Sequence, residues 1–209
     1  MTYFGASIKL KRNIDIIASI IGLVLLLPVF PLLALAIKMD SKGPVFFRQL
    51  RVGSYSKDKA EIFEMIKFRS MCSDAEKNTG AVWAQKFDPR ITSMGKFLRK
   101  TRLDELPQLI NVLKGDMSLI GPRPERPVFY QNLENKIPFY AERTYGVRPG
   151  ITGLAQVYQG YDTCIEDARS KVAYDHSYAL ALDSFSTWIL TDIKIVFMTI
   201  WIMLRGRGQ

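Results

Sequence analysis

Two adjacent carboxylates, Asp104 and Glu105, follow closely on three cations, Arg99, Lys100 and Arg102. A carboxylate among fixed cations stays ionised and can share its site with a bound phosphate. Two acids side by side can divide labour: one attacks an electrophile or holds a metal, and the other orients it or moves a proton. Neighbours on a helix point about 100° apart, so the two cannot face one atom squarely. The plainer meaning of such a pair is a helix-capping Asp followed by a surface Glu that suits the helix dipole. The surrounding chain decides between these.

Leu103, Leu106, Leu109, Ile110 and Leu113 recur at helical spacing. That spacing predicts a short amphipathic helix starting near the acids, with Pro107 in its first turn and Gly115 at its end. The carboxylates then sit at its positive end. Two stiff loops follow. In Gly121-Pro122-Arg123-Pro124, two prolines hold one arginine with little freedom. In Arg148-Pro149-Gly150-Ile151-Thr152-Gly153, the glycines permit tight turns or close approach of backbone to a ligand. Stiffly held arginines suit phosphate oxygens, which they grip bidentately.

The 209 residues suffice for one domain of moderate size with appendages, and 23% charged residues are too many for a polytopic membrane protein. A net charge of +9 points to anionic partners: a phosphorylated substrate, a phospholipid surface or nucleic acid. The cations are scattered rather than interleaved with aromatics on one element, which argues against nucleic acid. Cys72 and Cys164 form no metal motif and read as buried thiols in a reducing compartment. His176 is the only histidine, no Gly-x-Ser-x-Gly accompanies it, and it reads as structural.

The elements that must position these groups begin with a membrane segment. Lys9, Lys11 and Arg12 precede an uncharged run over residues 16–37, and Lys38 and Lys42 follow it. As a straight helix the run would be roughly 33 Å long, enough to cross a bilayer core. Pro28 and Pro31 interrupt it, and both flanks are basic, which gives no direction of crossing. Asp15 can pair with Lys11 or Arg12 at the interface. A re-entrant helical hairpin is therefore expected, ahead of an ordinary spanning helix. A cleaved signal peptide ending near Ala34-Leu35-Ala36 fits less well, because the run exceeds the usual signal core. Residues 45–52 read as a strand, 53–59 as a polar turn, and 61–71, with Lys67 and Arg69, as a second strand or short helix. This predicts a β-hairpin near the membrane. Residues 73–80 read as a loop. Residues 188–204 are apolar apart from Asp192 and Lys194, and their uncharged part, 195–204, is too short to span. With Trp188 and Trp201 suited to an interface, a surface-lying helix is a candidate there, and a buried core helix fits the sequence equally well. The expected fold is α+β and helix-rich, divided into a re-entrant segment (1–40), a cytoplasmic catalytic domain (41–180) and an interfacial amphipathic helix and tail (181–209).

The chain resembles the small monotopic phosphoglycosyltransferases of bacteria, the polyprenyl-phosphate sugar-1-phosphate transferases. The likeness rests on Lys11-Arg12 and Asp15 before a proline-broken apolar helix, on Phe46-Phe47-Arg48-Gln49 and Arg51-Val52-Gly53, and on Lys67-Phe68-Arg69-Ser70-Met71. It continues through Asp88-Pro89-Arg90-Ile91-Thr92, Gly95-Lys96, Arg99, Leu103-Asp104-Glu105-Leu106-Pro107-Gln108-Leu109 and Asn111-Val112-Leu113-Lys114-Gly115-Asp116-Met117-Ser118. It ends with the two arginine–proline loops, so the motifs cover nearly the whole chain in family order. Leu27 departs from the small polar residue that such families commonly place before the helix-breaking proline, and Pro31 is an addition. Larger relatives carry further N-terminal membrane helices, and this chain looks like the catalytic core form.

The resemblance implies that a UDP-sugar binds with Mg²⁺, that Asp104 attacks the sugar-side phosphorus and also contacts the metal, and that UMP leaves. Polyprenyl phosphate, of the undecaprenyl kind, then takes the sugar phosphate. Glu105 assists, and Arg99, Arg123, Arg148 and Lys67 contact phosphates. It further implies a place at the cytoplasmic face of the bacterial inner membrane, among membrane lipids and downstream glycosyltransferases, with Pro28 and Pro31 breaking the helix. The rival readings are a non-catalytic scaffold of glycan assembly and a phosphohydrolase with an aspartyl-phosphate intermediate. Trp83, Tyr158 and Asp162 stand near the matching motifs and are candidates for the pocket, although ordinary core or loop roles are commoner for such residues.

Overall fold

The computed structural model describes residues 3–56, 59–77, 80–83, 88–160 and 164–205. Their architecture is α+β, with eight α-helices and two small two-stranded sheets among the described residues. Helices α1 (Tyr3–Leu26) and α2 (Val29–Asp40) meet at a 63° bend. Only one proline breaks the run. Pro28 is the cap of α2, and Pro31 falls in its first turn, where a missing N–H has no helical partner to lose.

Helix α1 is turned inside out relative to a soluble helix. Ser7, Lys11, Asp15 and Ser19, each four residues from the next, are buried, while Ile17, Ile21, Val24 and Leu25 are more than half exposed. Lys11 Nζ donates to Ser118 Oγ at 2.7 Å, and that hydroxyl donates to Asp15 Oδ2 at 2.7 Å. Lys11 thus sits against the protein rather than at a lipid interface, and its partner is Asp15, 3.6 Å away. Arg12 turns the other way and donates to the Val112 and Leu113 carbonyls at the end of α4 (Gln108–Lys114), where a cation suits the helix dipole.

Strands β1 (Phe46–Ser56) and β2 (Lys59–Phe68) form the expected hairpin, antiparallel, with Phe46 opposite Phe68 and Phe47 opposite Lys67. β1 runs on through the predicted polar turn, with a register irregularity between Val52 and Tyr55 absorbing Gly53 and Ser54. Leu33, Ile37, Phe68 and Leu98 make one core, tying α2 to the hairpin and to α3 (Ser93–Thr101). Gly95 lets α3 lie on the Ser70 backbone, where a Cβ would collide.

The remaining elements close around these. Strands β3 (Ser118–Ile120) and β4 (Gly150–Thr152) pair in parallel. The two arginine–proline loops lie here, and their glycines serve each other rather than a ligand. Gly121 N donates to Thr152 O at 2.9 Å, Gly150 N to Pro122 O at 2.8 Å, and a Cβ at either glycine would strike the opposing backbone. Helix α5 (Pro127–Lys136) packs through Tyr130 and Leu133 against Ala168 and Val172 of α7 (Ile165–Ala181). A short α6 (Leu154–Tyr158) follows β4, and α8 (Phe185–Leu204) ends the fold.

Helix α8 is longer and more apolar in effect than the ten-residue count suggested, and by length and composition it could cross a membrane. Its charges are absorbed. Asp192 accepts from Tyr178 Oη at 2.8 Å and Trp188 Nε1 at 2.7 Å and lies 3.7 Å from Lys11. Lys194 sits over the Tyr158 ring. Trp188 is accordingly a core residue, 1% exposed, and only Trp201 is free to meet an interface. Both cysteines are exposed and unpaired, not buried as composition suggested. His176 is structural, its ring hydrogen-bonded to the Phe139 carbonyl.

One side chain fixes α4 to the hairpin. Asn111 is fully buried; its Oδ1 accepts from Ile66 N at 3.0 Å, and its Nδ2 donates to Glu64 O at 2.8 Å and Asp116 Oδ2 at 3.0 Å. It completes the free edge of β2 as a third strand would. Asn111→Ala will leave two backbone groups unpaired and cost about 3 kcal/mol, since each such group costs roughly 1–3 kcal/mol. Denaturant unfolding of the purified protein will show it as an earlier midpoint with an unchanged slope.

Candidate active site

Asp104 and Glu105 do not open the predicted helix. Arg102, with φ of 60°, ends α3 in the left-handed region, and Leu103–Glu105 form a single 3₁₀ turn before α4 begins at Gln108. Pro107 caps α4, so the leucine periodicity spans two helical pieces with a joint between them. The acids lie at that joint, and both are buried, 7% and 5% exposed.

The joint gives the two carboxylates different surroundings. Glu105 Oε1 accepts from Lys67 Nζ at 2.7 Å and Arg123 Nη2 at 3.2 Å, and Arg102 lies 3.8 Å from its Oε2. Burial alone would raise its pKa, but these cations hold it far below the usual carboxylate range. Asp104 lies on the wall of a cleft of about 400 Å³, and its Oδ1 is buried with no hydrogen-bond partner among the described residues. Burial, reinforced by the neighbouring charge of Glu105, pushes its pKa up to about 6. Near neutral pH Asp104 is thus an ionised, under-solvated carboxylate beside open space, while Glu105 is fully committed to its cations.

Cationic side chains outnumber carboxylates around the cleft. Of the phosphate-contact candidates, Lys67, Arg99 and Arg123 line it, and Arg148 does not. Arg148 lies instead within electrostatic reach of Arg12 on α1. The stiff loop does present Arg123, and its first partner is Glu105 rather than open solvent. Trp83 lines the cleft, edge-on to Phe129 at 6.0 Å, whereas Tyr158 stacks on Tyr174 outside it, and Asp162 lies outside the described residues.

Other groups at the cleft were not legible from spacing. Arg143 and Asp175 form a buried ion pair at 2.9 Å, and Arg143 also donates to the Arg123 carbonyl at 3.1 Å. This pair anchors from α7 the loop that carries Arg123. Arg126 grips Glu76 with two contacts of 2.8 Å, and Asp88 is held bidentately by Arg90. Arg69 also lines the cleft, and its guanidinium donates to the Ser41 and Lys42 carbonyls after α2. A run of X-Pro-Arg motifs hints at Arg90 and Arg123, but nothing local marks the partners on α7.

Among the described residues no cluster of three or more His, Cys, Asp or Glu side chains could cage a metal. Two buried side-chain oxygens at the cleft have no partner among the described residues, Asp104 Oδ1 and Gln156 Oε1, and only the first is on a carboxylate. A hard cation held by one carboxylate, water and substrate phosphates is an ordinary magnesium arrangement. The site's composition therefore fits such an ion, and Asp104 is the carboxylate that would hold it.

Comparisons with known proteins identify the family. Residues 6–206 match the family model described as bacterial sugar transferase. A protein of Aeromonas hydrophila named UDP-N-acetylgalactosamine-undecaprenyl-phosphate N-acetylgalactosaminephosphotransferase is 48% identical over 199 residues, 95% of this chain and 44% of the relative. A Bacillus subtilis protein, a putative undecaprenyl-phosphate N-acetylgalactosaminyl 1-phosphate transferase, is 52% identical over 136 residues, covering 65% of this chain and 73% of its own length. A UDP-glucose:undecaprenyl-phosphate glucose-1-phosphate transferase of Klebsiella pneumoniae is 41% identical over 199 residues, 94% of this chain and 40% of the relative. The chain thus spans less than half the length of two of these relatives. With the match running from α1 through α8 and enclosing the cationic cleft, the chain belongs to the bacterial sugar transferase family.

Proposed function

We propose that this protein transfers a sugar 1-phosphate from a UDP-sugar to undecaprenyl phosphate through a covalent intermediate on Asp104. The observation that carries this is the asymmetry of the acid pair: Glu105 is locked by Lys67 and Arg123, while Asp104 keeps an unpaired oxygen at a cationic cleft. An oxygen of Asp104 attacks the sugar-side phosphorus, the phosphorus–oxygen bond to UMP breaks, and a sugar-phosphoryl aspartate remains. A phosphate oxygen of the lipid then attacks the same phosphorus, and the aspartyl bond breaks to restore the carboxylate. Lys67, Arg99 and Arg123 stabilise charge on the phosphoryl oxygens. Mg²⁺, bound through Asp104 and the substrate's phosphates, would supply further neutralisation of the diphosphate.

The bent α1–α2 pair is read as a re-entrant hairpin in one leaflet, with the domain on the cytoplasmic face of the bacterial inner membrane. Its 63° bend at Pro28 and the basic residues at both ends support this. The lipid's phosphate and the cytosolic nucleotide sugar then meet at headgroup height. The relatives' names include both N-acetylgalactosamine and glucose, so the donor is tested with both.

The deciding experiment is intact-protein mass after incubation with Mg²⁺ and UDP-N-acetylgalactosamine or UDP-glucose, without lipid. A gain of one sugar phosphate, discharged by undecaprenyl phosphate, is the expected result. UMP release only when lipid is present, with no adduct, would replace the covalent route by direct transfer. Silence with lipid and every donor would leave a scaffold.

A further inference from the structure

We infer that the exposed aromatic pair Phe46–Phe47 is the port through which the isoprenoid chain of the acceptor lipid reaches the cleft, with Phe47 as its main contact. This rests on the transfer reading above and adds which wall takes the acceptor. Phe46 and Phe47 line the cleft yet remain 41% and 42% exposed. Two phenylalanines left half open beside a cationic cleft are not core residues, and an apolar ligand would cover them.

Their connections set the direction of the ligand. Phe46 stacks on Phe68 with centroids 5.3 Å apart, and Phe68 meets Phe30 of α2 edge-on at 5.2 Å. The aromatic row therefore continues into the bent helix pair, whose outer residues Leu32, Leu35 and Met39 are at least 60% exposed. Phe47, next in β1 and so on the strand's other face, lies directly opposite Lys67 across the hairpin, and Lys67 Nζ is 2.7 Å from Glu105, the residue after Asp104. Both rings line the cleft at the start of β1, so an amphiphile passing around that strand end has its chain on phenylalanine and its phosphate beside Lys67 and Asp104. The side of the cleft toward α5 and α7 is different in kind: the ion pairs of Arg126 with Glu76 and of Arg143 with Asp175 stand beside the edge-on rings of Trp83 and Phe129, a mixed polar and aromatic lining. The donor's polar body belongs there.

The test separates the half-reactions in the full-length protein. Phe47→Thr keeps a strand-forming residue and removes the aromatic surface, and Phe47→Leu restores apolar area. Phe47→Thr will raise KM for undecaprenyl phosphate about tenfold, a change of the size expected for exposing part of a phenylalanine. KM for a short water-soluble isoprenyl phosphate and the rate of adduct formation from the UDP-sugar alone will stay within about twofold. Phe47→Leu will recover most of the loss. An unchanged KM for undecaprenyl phosphate, or an effect on the donor step instead, would overturn the assignment. Native mass spectrometry of retained undecaprenyl phosphate reads the same assignment without turnover. A chain that transfers nothing yet holds the lipid in a Phe47-dependent way would therefore refute the transfer reading while supporting the port.

Discussion

Asp104→Asn will form no sugar-phosphate adduct with any donor, will lower transfer by at least about a thousandfold, and will nevertheless be more stable than the parent at neutral pH. The first two effects follow from replacing the attacking oxygen by an amide, which is not a nucleophile toward phosphorus at this pH. The third follows from where the carboxylate sits. Its pKa in the folded protein is near 6, raised by burial and by Glu105, against about 3.9 for an unfolded Asp. The folded state therefore binds the extra proton between those values, and stability falls as pH rises through that window. Removing the charge relieves the cost, about 3 kcal/mol well above pH 6 and nothing well below pH 4. Thermal unfolding of both proteins at pH 4 and pH 8 will show curves that nearly coincide at the acid end and separate by about 9 °C at the alkaline end. In single-turnover mixing the parent's adduct rate will climb with pH around a midpoint near 6. A flat profile, or an Asn variant less stable at pH 8, would mean that Asp104 is held by contacts beyond those described.

Glu105→Gln will show the opposite balance, losing both activity and stability. Its carboxylate faces Lys67, Arg123 and Arg102, and the pair with Lys67 is almost closed to water. Breaking a buried pair by removing one partner strands the other, at about 3–5 kcal/mol. The sign with pH is also opposite: a carboxylate held below its unfolded value contributes stability above about pH 4.3, lost as pH falls below it. The variant will therefore melt about 10 °C lower at pH 7 and close the gap in acid. Adduct formation will fall at least a hundredfold, because Lys67 and Arg123 lose the anchor that aims them. A Lys67→Met, Glu105→Leu double variant will regain part of the stability and none of the activity, which separates the structural role of the pair from its catalytic one.

What could be seen in the sequence was local. The hairpin of residues 46–68, the break at Pro28, the cluster around Asp104 and the stiff presentation of Arg123 all follow from spacing, turn chemistry and charge over a few residues. The joint at Arg102 was hidden because leucine periodicity survives a change from 3₁₀ to α, and a positive φ at an arginine has no sequence mark. The loop of Arg148 looks like that of Arg123, but only Arg123 lines the cleft, and nothing in the spacing of either loop distinguishes them. Trp188 looked suited to an interface, but it is buried, and its ring N–H and Tyr178 of α7 both donate to Asp192. Asn111 looked like any helix residue, and only the open edge of β2 gives it a purpose.

The ion cluster of Lys11, Asp15 and Asp192 also bears on the order in which the protein is made. Lys11 and Asp192 are about 180 residues apart in the chain and 3.7 Å apart in the fold. At roughly 5–20 residues per second of synthesis, α1 waits about 10–35 s for its partner on α8 to leave the ribosome. Through that interval Lys11 has Asp15 one turn away, and the two can neutralise each other within a single helix at the membrane. The four-residue spacing thus lets the nascent helix settle early, and the arrival of Asp192 joins the last helix to the first.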